Sequence, residues 1–248
     1  MLKYILGIGV LYYIFRPKSE PEPCPLSDIV IGPGGVQGFY TLGVCHYIVN
    51  QFKISDKSII GFSSGAFTAM FMRIESDKRN ELLRGIFNCY DISNICILKK
   101  IIHYLVNNTK LDDYNMELTS VGVSHLDDIH VYNQFLNIEH AVRCCQNSCF
   151  VPFITVDNGL QFYNHKIAFD GYLYYNSFLE QYTTQPLVIS PRMFGRFNNA
   201  FITNLLFIFG IHDMKYTTIY QLYLLGYRDA SNNHSFFEDY LEPIHSSS

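Results

Sequence analysis

The sequence predicts an α/β protein built on a mainly parallel central sheet, and three observations carry that prediction. The short apolar run Ile29-Val30-Ile31 and the strand-like Ser58-Ile59-Ile60 each end in a glycine-bearing turn, as buried strands do. Each turn opens a stretch with helical spacing. Phe39, Leu42, Val44, Tyr47 and Ile48 fit one face over residues 37–51, and a second helix is expected over residues 64–73. A helix between two such strands is what a parallel crossover requires.

Taken in order, the chain starts with an uncharged run at residues 4–15, with Lys3 before it and Arg16 and Lys18 behind. A helix of that length rises about 18 Å, short of the roughly 30 Å hydrocarbon core. Residues 1–15 are therefore expected to anchor at a membrane interface, where tyrosines and flanking cations are favoured. A helix docked on its own domain and a cleaved signal stay open as alternatives, although no A-x-A-like site follows. Residues 16–26 hold Pro17, Pro21, Pro23 and Pro25; they read as a linker, and residues 27–248 as the folded domain.

Beyond residue 73 the pattern predicts two helical pieces within residues 81–106. Strand-like segments follow at 117–123 and 130–135 around a turn at 125–128, then a short helix at 138–145. Asp157-Asn158-Gly159 between apolar runs signals a hairpin, because a type I′ turn needs positive φ at both central residues. An apolar run at 200–210 and a helix over 216–230 complete the chain.

Composition narrows the function. A chain of 248 residues holds one sizeable α/β domain and not two large ones. Its net charge is −4 with scattered basic residues, so nucleic acid is not expected as a partner. The hydrophobic fraction of 48% and aromatic fraction of 16% leave apolar surface that can meet lipid. Seven cysteines, an odd number at irregular spacings, favour a reducing compartment over a disulfide framework. Cys144, Cys145 and Cys149 lack a second ligand pair at zinc spacing, so they are expected to be buried thiols, and no metal or cofactor is expected.

The chemistry is concentrated in Gly61-Phe62-Ser63-Ser64-Gly65, a G-x-S-x-G between an apolar strand and a helix. That context suits a nucleophile elbow: Ser63 sits on a sharp turn at a helix N-terminus, and Gly61 and Gly65 let the turn close. The plainer alternative is a turn whose Ser63 or Ser64 only caps the helix. Upstream, Pro33-Gly34-Gly35-Val36-Gln37-Gly38 follows a strand and opens a helix. Paired glycines let amides approach an oxyanion, while a dinucleotide fingerprint fails because Gln37 stands where its third glycine belongs. Downstream, Phe169-Asp170-Gly171 follows the apolar Ile167 and Ala168, which places an aspartate at a strand end.

This order of strand, glycine turn, helix, strand, G-x-S-x-G, helix and late Asp-Gly resembles the patatin-like phospholipases. Ser148-Cys149-Phe150-Val151-Pro152-Phe153 is similar to the family's small-residue stretch ahead of its Asp-Gly, and Leu225-Gly226-Tyr227-Arg228-Asp229-Ala230 to a late helix. The resemblance implies a three-layer patatin-like fold and a serine lipid hydrolase acting without histidine at a membrane or lipid-droplet surface. Ser63 would be the nucleophile, Asp170 its base, and Gly34 and Gly35 the oxyanion donors, with Gly38, Gly61, Gly65 and Gly171 supporting the motifs. Two departures matter. Pro33 replaces the first glycine of the family's triple, and Gln37 stands where many members carry Arg or Lys, which tilts the substrate toward a neutral acylglycerol. The alternatives are a non-catalytic lipid-binding protein and a Ser-Asp-His hydrolase completed by His212 or His234.

Overall fold

A computed structural model describes residues 26–88, 97–151, 160–197 and 216–244. The expectations for residues 4–15, the linker up to residue 25, the 157–159 hairpin and the 200–210 run lie outside the described residues.

In chain order the elements are β1 (Ile29–Ile31), α1 (Gly38–Gln51), β2 (Ile59–Phe62), α2 (Ser64–Arg73), α3 (Ser76–Asn88), α4 (Ile97–Asn108), β3 (Thr119–Ser124), β4 (Ile129–Tyr132) and α5 (Ile138–Ser148). The hairpin strands β5 (Phe162–Tyr163) and β6 (Lys166–Ile167) follow, then α6 (Tyr175–Leu179), β7 (Leu187–Ile189), α7 (Tyr216–Asn232) and α8 (His234–Glu238). Five strands form one sheet in the order β4-β3-β2-β1-β7. The pairs β7/β1, β1/β2 and β2/β3 are parallel, and β4 closes the edge antiparallel to β3. The architecture is α/β with a mostly parallel sheet and flanking helices.

Strands β1 and β2 carry no polar side chain because both of their faces are covered. Ile29, Ile31 and Ile59 pack with Tyr40, Val44 and Ile48 of α1 and with Ala69 and Met72 of α2. Val30, Ile60 and Phe62 turn the other way, onto Tyr174, Tyr175 and Phe178 around α6. Each such side chain removed from water contributes about 1.5–3 kcal/mol.

Several elements depart from the sequence pattern. Helix α1 was expected to bury one face, but its residues from Gly38 to Val49 are all buried, because α7 covers the side away from the sheet. The two helices approach so closely that a Cβ on Gly226 would stand 2.0 Å from the Tyr40 carbonyl oxygen. Helix α3 starts at Ser76, ahead of residue 81, with Asp77 in its first turn, where a carboxylate is favoured. The described hairpin turns at Asn164 and His165, both at positive φ (49° and 64°).

Candidate active site

In parallel sheets the carboxyl ends of the strands gather on one edge, and here they bring together the loops after β1, β2 and β3. Phe62 leads into Ser63, whose backbone is held at φ 54°, ψ −129° before α2 begins. A non-glycine residue in that region carries a strain of about 1–3 kcal/mol. The strain is enforced locally: a Cβ on Gly61 would lie 2.3 Å from the Gly65 carbonyl, and one on Gly65 would lie 2.4 Å from the Ile31 carbonyl. Only glycine fits at either place, so the turn is locked between β1 and α2.

Asp170 arrives by a different route. Phe169 bridges antiparallel to Ser124 at the end of β3, its N–H donating to the Ser124 carbonyl at 2.7 Å. His125, fully buried, bonds the Ile167 carbonyl at 2.9 Å and the Tyr132 hydroxyl at 2.9 Å, which ties the end of β6 to the same edge. The outcome is direct contact: Ser63 Oγ donates to Asp170 Oδ2 at 2.7 Å. Asp170 Oδ1 accepts the Tyr172 N–H at 2.9 Å. Desolvation by the surrounding protein pushes the Asp170 carboxyl up to about 6, against the downward pull of the Tyr172 amide and the Ser63 hydroxyl. At neutral pH it is ionised and able to take the serine proton.

The glycine turn lies beside the elbow. Gly35 has φ 52°, residues Gly35–Gln37 form one 3-10 turn, and Gly38 opens α1 with its Cα facing the Ser64 side chain. The Gly34 N–H donates to Ser64 Oγ at 3.0 Å, so one of the two expected oxyanion donors is engaged. Gln37 is fully buried, and neither polar atom of its side chain bonds to another described residue.

Ser148, the last residue of α5, is the participant whose role sequence reasoning missed. Its hydroxyl accepts the Ser63 N–H at 2.8 Å and donates to the Gly122 carbonyl at 2.6 Å, and its own carbonyl accepts the Gly171 N–H at 2.8 Å. The only available signal was its place among small residues ahead of the Asp-Gly. Cys45, Cys144, Cys145 and Cys149 are buried, and burial pushes the Cys144 thiol up to about 12. Among the described residues no group of His, Cys, Asp and Glu is placed to hold a metal.

His234 bonds the Tyr47 hydroxyl at 2.7 Å and stacks on Phe52 at 4.8 Å. It therefore sits by the end of α1 remote from the glycine turn, while His212 lies outside the described residues. An open cleft of about 490 Å³ between Arg143 and Asn164 contains neither Ser63 nor Asp170. Chemically, the edge presents a hydroxyl on a strained turn, bonded to a base of raised pKa. That arrangement can transfer a proton as the hydroxyl attacks an electrophilic carbon.

No protein-family model matches the chain, and no curated protein matches its sequence. Among the described residues, no helix is long and apolar enough to cross a membrane.

Proposed function

We propose that the protein is a patatin-like serine lipid hydrolase that cleaves carboxylic esters of acylglycerols or phospholipids through an acyl-enzyme. The observation that carries this is the 2.7 Å bond from the Ser63 hydroxyl to Asp170, with no histidine between them. Asp170 takes the proton, Ser63 Oγ bonds to the ester carbonyl carbon, and the alcohol leaves with a proton returned by Asp170. Water then attacks the acyl-enzyme by the same route and releases the fatty acid. The N-terminus of α2 and the Gly35 amide would stabilise the negative charge that develops.

An apolar substrate is supported by the rim. Tyr172, two residues past Asp170, is 54% exposed, and Leu126 is 38% exposed where its carbonyl meets the Tyr174 hydroxyl. The run at residues 4–15 would hold the domain at a membrane or lipid-droplet surface on the reducing side. Gln37, fully buried and uncharged, offers no cation for a phosphate head group, which favours neutral acylglycerols. The engaged Gly34 amide favours a second reading, a lipid-binding protein whose oxyanion site is incomplete.

A fluorophosphonate probe separates the two. The hydrolase reading expects covalent labelling of wild type on Ser63, none of Ser63→Ala, and fatty acid release from a lipid panel with Ser63→Ala as the blank. An unlabelled wild type, under conditions where an ordinary serine lipase reacts, selects the binder.

A further inference from the structure

We infer that Ser148 is a positioning residue that sets the distance between the Ser63 hydroxyl and the Asp170 carboxylate, an inference that rests on the dyad reading above. A serine hydroxyl has one proton and two lone pairs. Here the proton goes to the Gly122 carbonyl at 2.6 Å and a lone pair receives the Ser63 N–H at 2.8 Å. The main-chain carbonyl of the same residue receives the Gly171 N–H at 2.8 Å. Two backbone donors, one belonging to the nucleophile and one to the residue that follows its base, thus end on a single residue.

The surroundings make the clasp hard to replace. Ser148 is fully buried, so water has no ready access to the orphaned groups if the hydroxyl is lost. Gly122 stands beside Phe62 in the parallel register of β2 and β3, and the hydroxyl therefore also joins the ends of those strands. A Cβ on Gly171 would lie 2.8 Å from the Gly122 oxygen, 2.9 Å from Ser148 Oγ and 3.2 Å from the Ser63 nitrogen. The two turns meet with no spare volume, and Ser148 is their common acceptor. One consequence is that the Ser63 amide points to Ser148 and is not an oxyanion donor.

Full-length Ser148→Ala and Ser148→Cys test the inference by two readouts: amide hydrogen exchange at Ser63 and Gly171, and the rate of fluorophosphonate labelling across pH. For Ser148→Ala, exchange at Ser63 is expected to quicken by about tenfold above any global change. Labelling should slow by about a hundredfold, the cost of a misplacement near 1 Å. Its acid limb should move to higher pH, because a displaced Ser63 no longer stabilises the Asp170 carboxylate. Ser148→Cys, near in size with a weaker acceptor, should fall between. A folded Ser148→Ala that labels at the wild-type rate overturns the inference, as does unchanged exchange at Ser63. If the alanine variant does not fold, a cysteine variant with wild-type rate and an unmoved limb overturns it equally. A wild type that never labels, with exchange still quickened in the variant, sinks the hydrolase reading while leaving the clasp in place.

Discussion

The two edges of the sheet each hold a desolvated ionisable group, and they treat it in opposite ways. At the edge where the strands begin, the Arg73 guanidinium donates to Thr119 Oγ1 at 3.0 Å, to the Ile54 carbonyl at 2.9 Å, to the Leu118 carbonyl at 3.2 Å and to the Lys57 carbonyl. At the edge where they end, the Asp170 carboxylate receives, among the described residues, the Ser63 hydroxyl and the Tyr172 amide. Burial disfavours the charged form of both: it lowers the pKa of Arg73 and raises that of Asp170 to about 6. Arginine still stays charged at any ordinary pH, so its four bonds serve only to tie loops together. The carboxylate, left short of donors, keeps a basicity that can be used.

The largest effect expected from this contrast is on turnover. Asp170→Asn keeps the shape and removes the proposed base, and it should cut ester hydrolysis by about four orders of magnitude, as loss of a base or its orienting carboxylate does elsewhere. The thermal midpoint should not fall, since an isosteric amide replaces a desolvated charge. Hydrolysis that survives in the purified variant breaks the comparison. Arg73→Met should do the reverse. Orphaning the Ile54, Lys57 and Leu118 carbonyls is expected to cost about 3 kcal/mol or more in urea unfolding, while the folded fraction still labels at Ser63. A stable Arg73→Met would show that the number of bonds is not what distinguishes the two edges.

Acidity gives a smaller and more graded test. As Asp170 gains a proton the rate should decline about tenfold per pH unit below pH 6, with the midpoint near the carboxyl value of about 6. Stability runs the other way. The folded Asp170 holds its proton up to about 6, whereas an unfolded aspartate releases it near 3.9. Between those values the native state binds more protons, so this residue's contribution falls as pH rises, by about 3 kcal/mol at most. The difference in unfolding free energy between wild type and Asp170→Asn, followed from pH 4 to pH 7, should trace that slope. A flat difference would mean that the carboxylate is not raised.

The same contrast explains which parts were legible in the sequence. Gly61, Ser63, Gly65 and the paired glycines announce themselves because backbone approach dictates residue type at short range. Asp170 was read only through its company, since an Asp-Gly alone is an ordinary turn. Arg73 appeared as one more cation at a helix end; its acceptors come from loops whose meeting depends on the register of β2 and β3. Strand β7, three residues between Pro186 and Pro191, is too short for periodicity to reveal, although it pairs with β1. The Asn164-His165 turn lacked the glycine that usually flags such a turn. The all-round burial of α1 is a property of α7 and not of its own pattern.

The smallest expected effect concerns Ser64, which stands between the two behaviours: its side chain satisfies a backbone group, as that of Arg73 does, but at the edge that holds Ser63 and Asp170. An interaction accelerates a step only in so far as it strengthens in the transition state. The Gly34 amide already donates to Ser64 Oγ at 3.0 Å, so an oxyanion gains from it only what exceeds a bond that must first break. A neutral hydrogen bond is worth about 1 kcal/mol net, or roughly fivefold in rate. Ser64→Ala is therefore expected to raise kcat by up to about fivefold with KM little changed. Should kcat fall instead, the hydroxyl matters more as a tie that holds the glycine turn against the elbow than as a competitor for its amide. Gly35, at φ 52°, would then be the donor whose placement the tie protects.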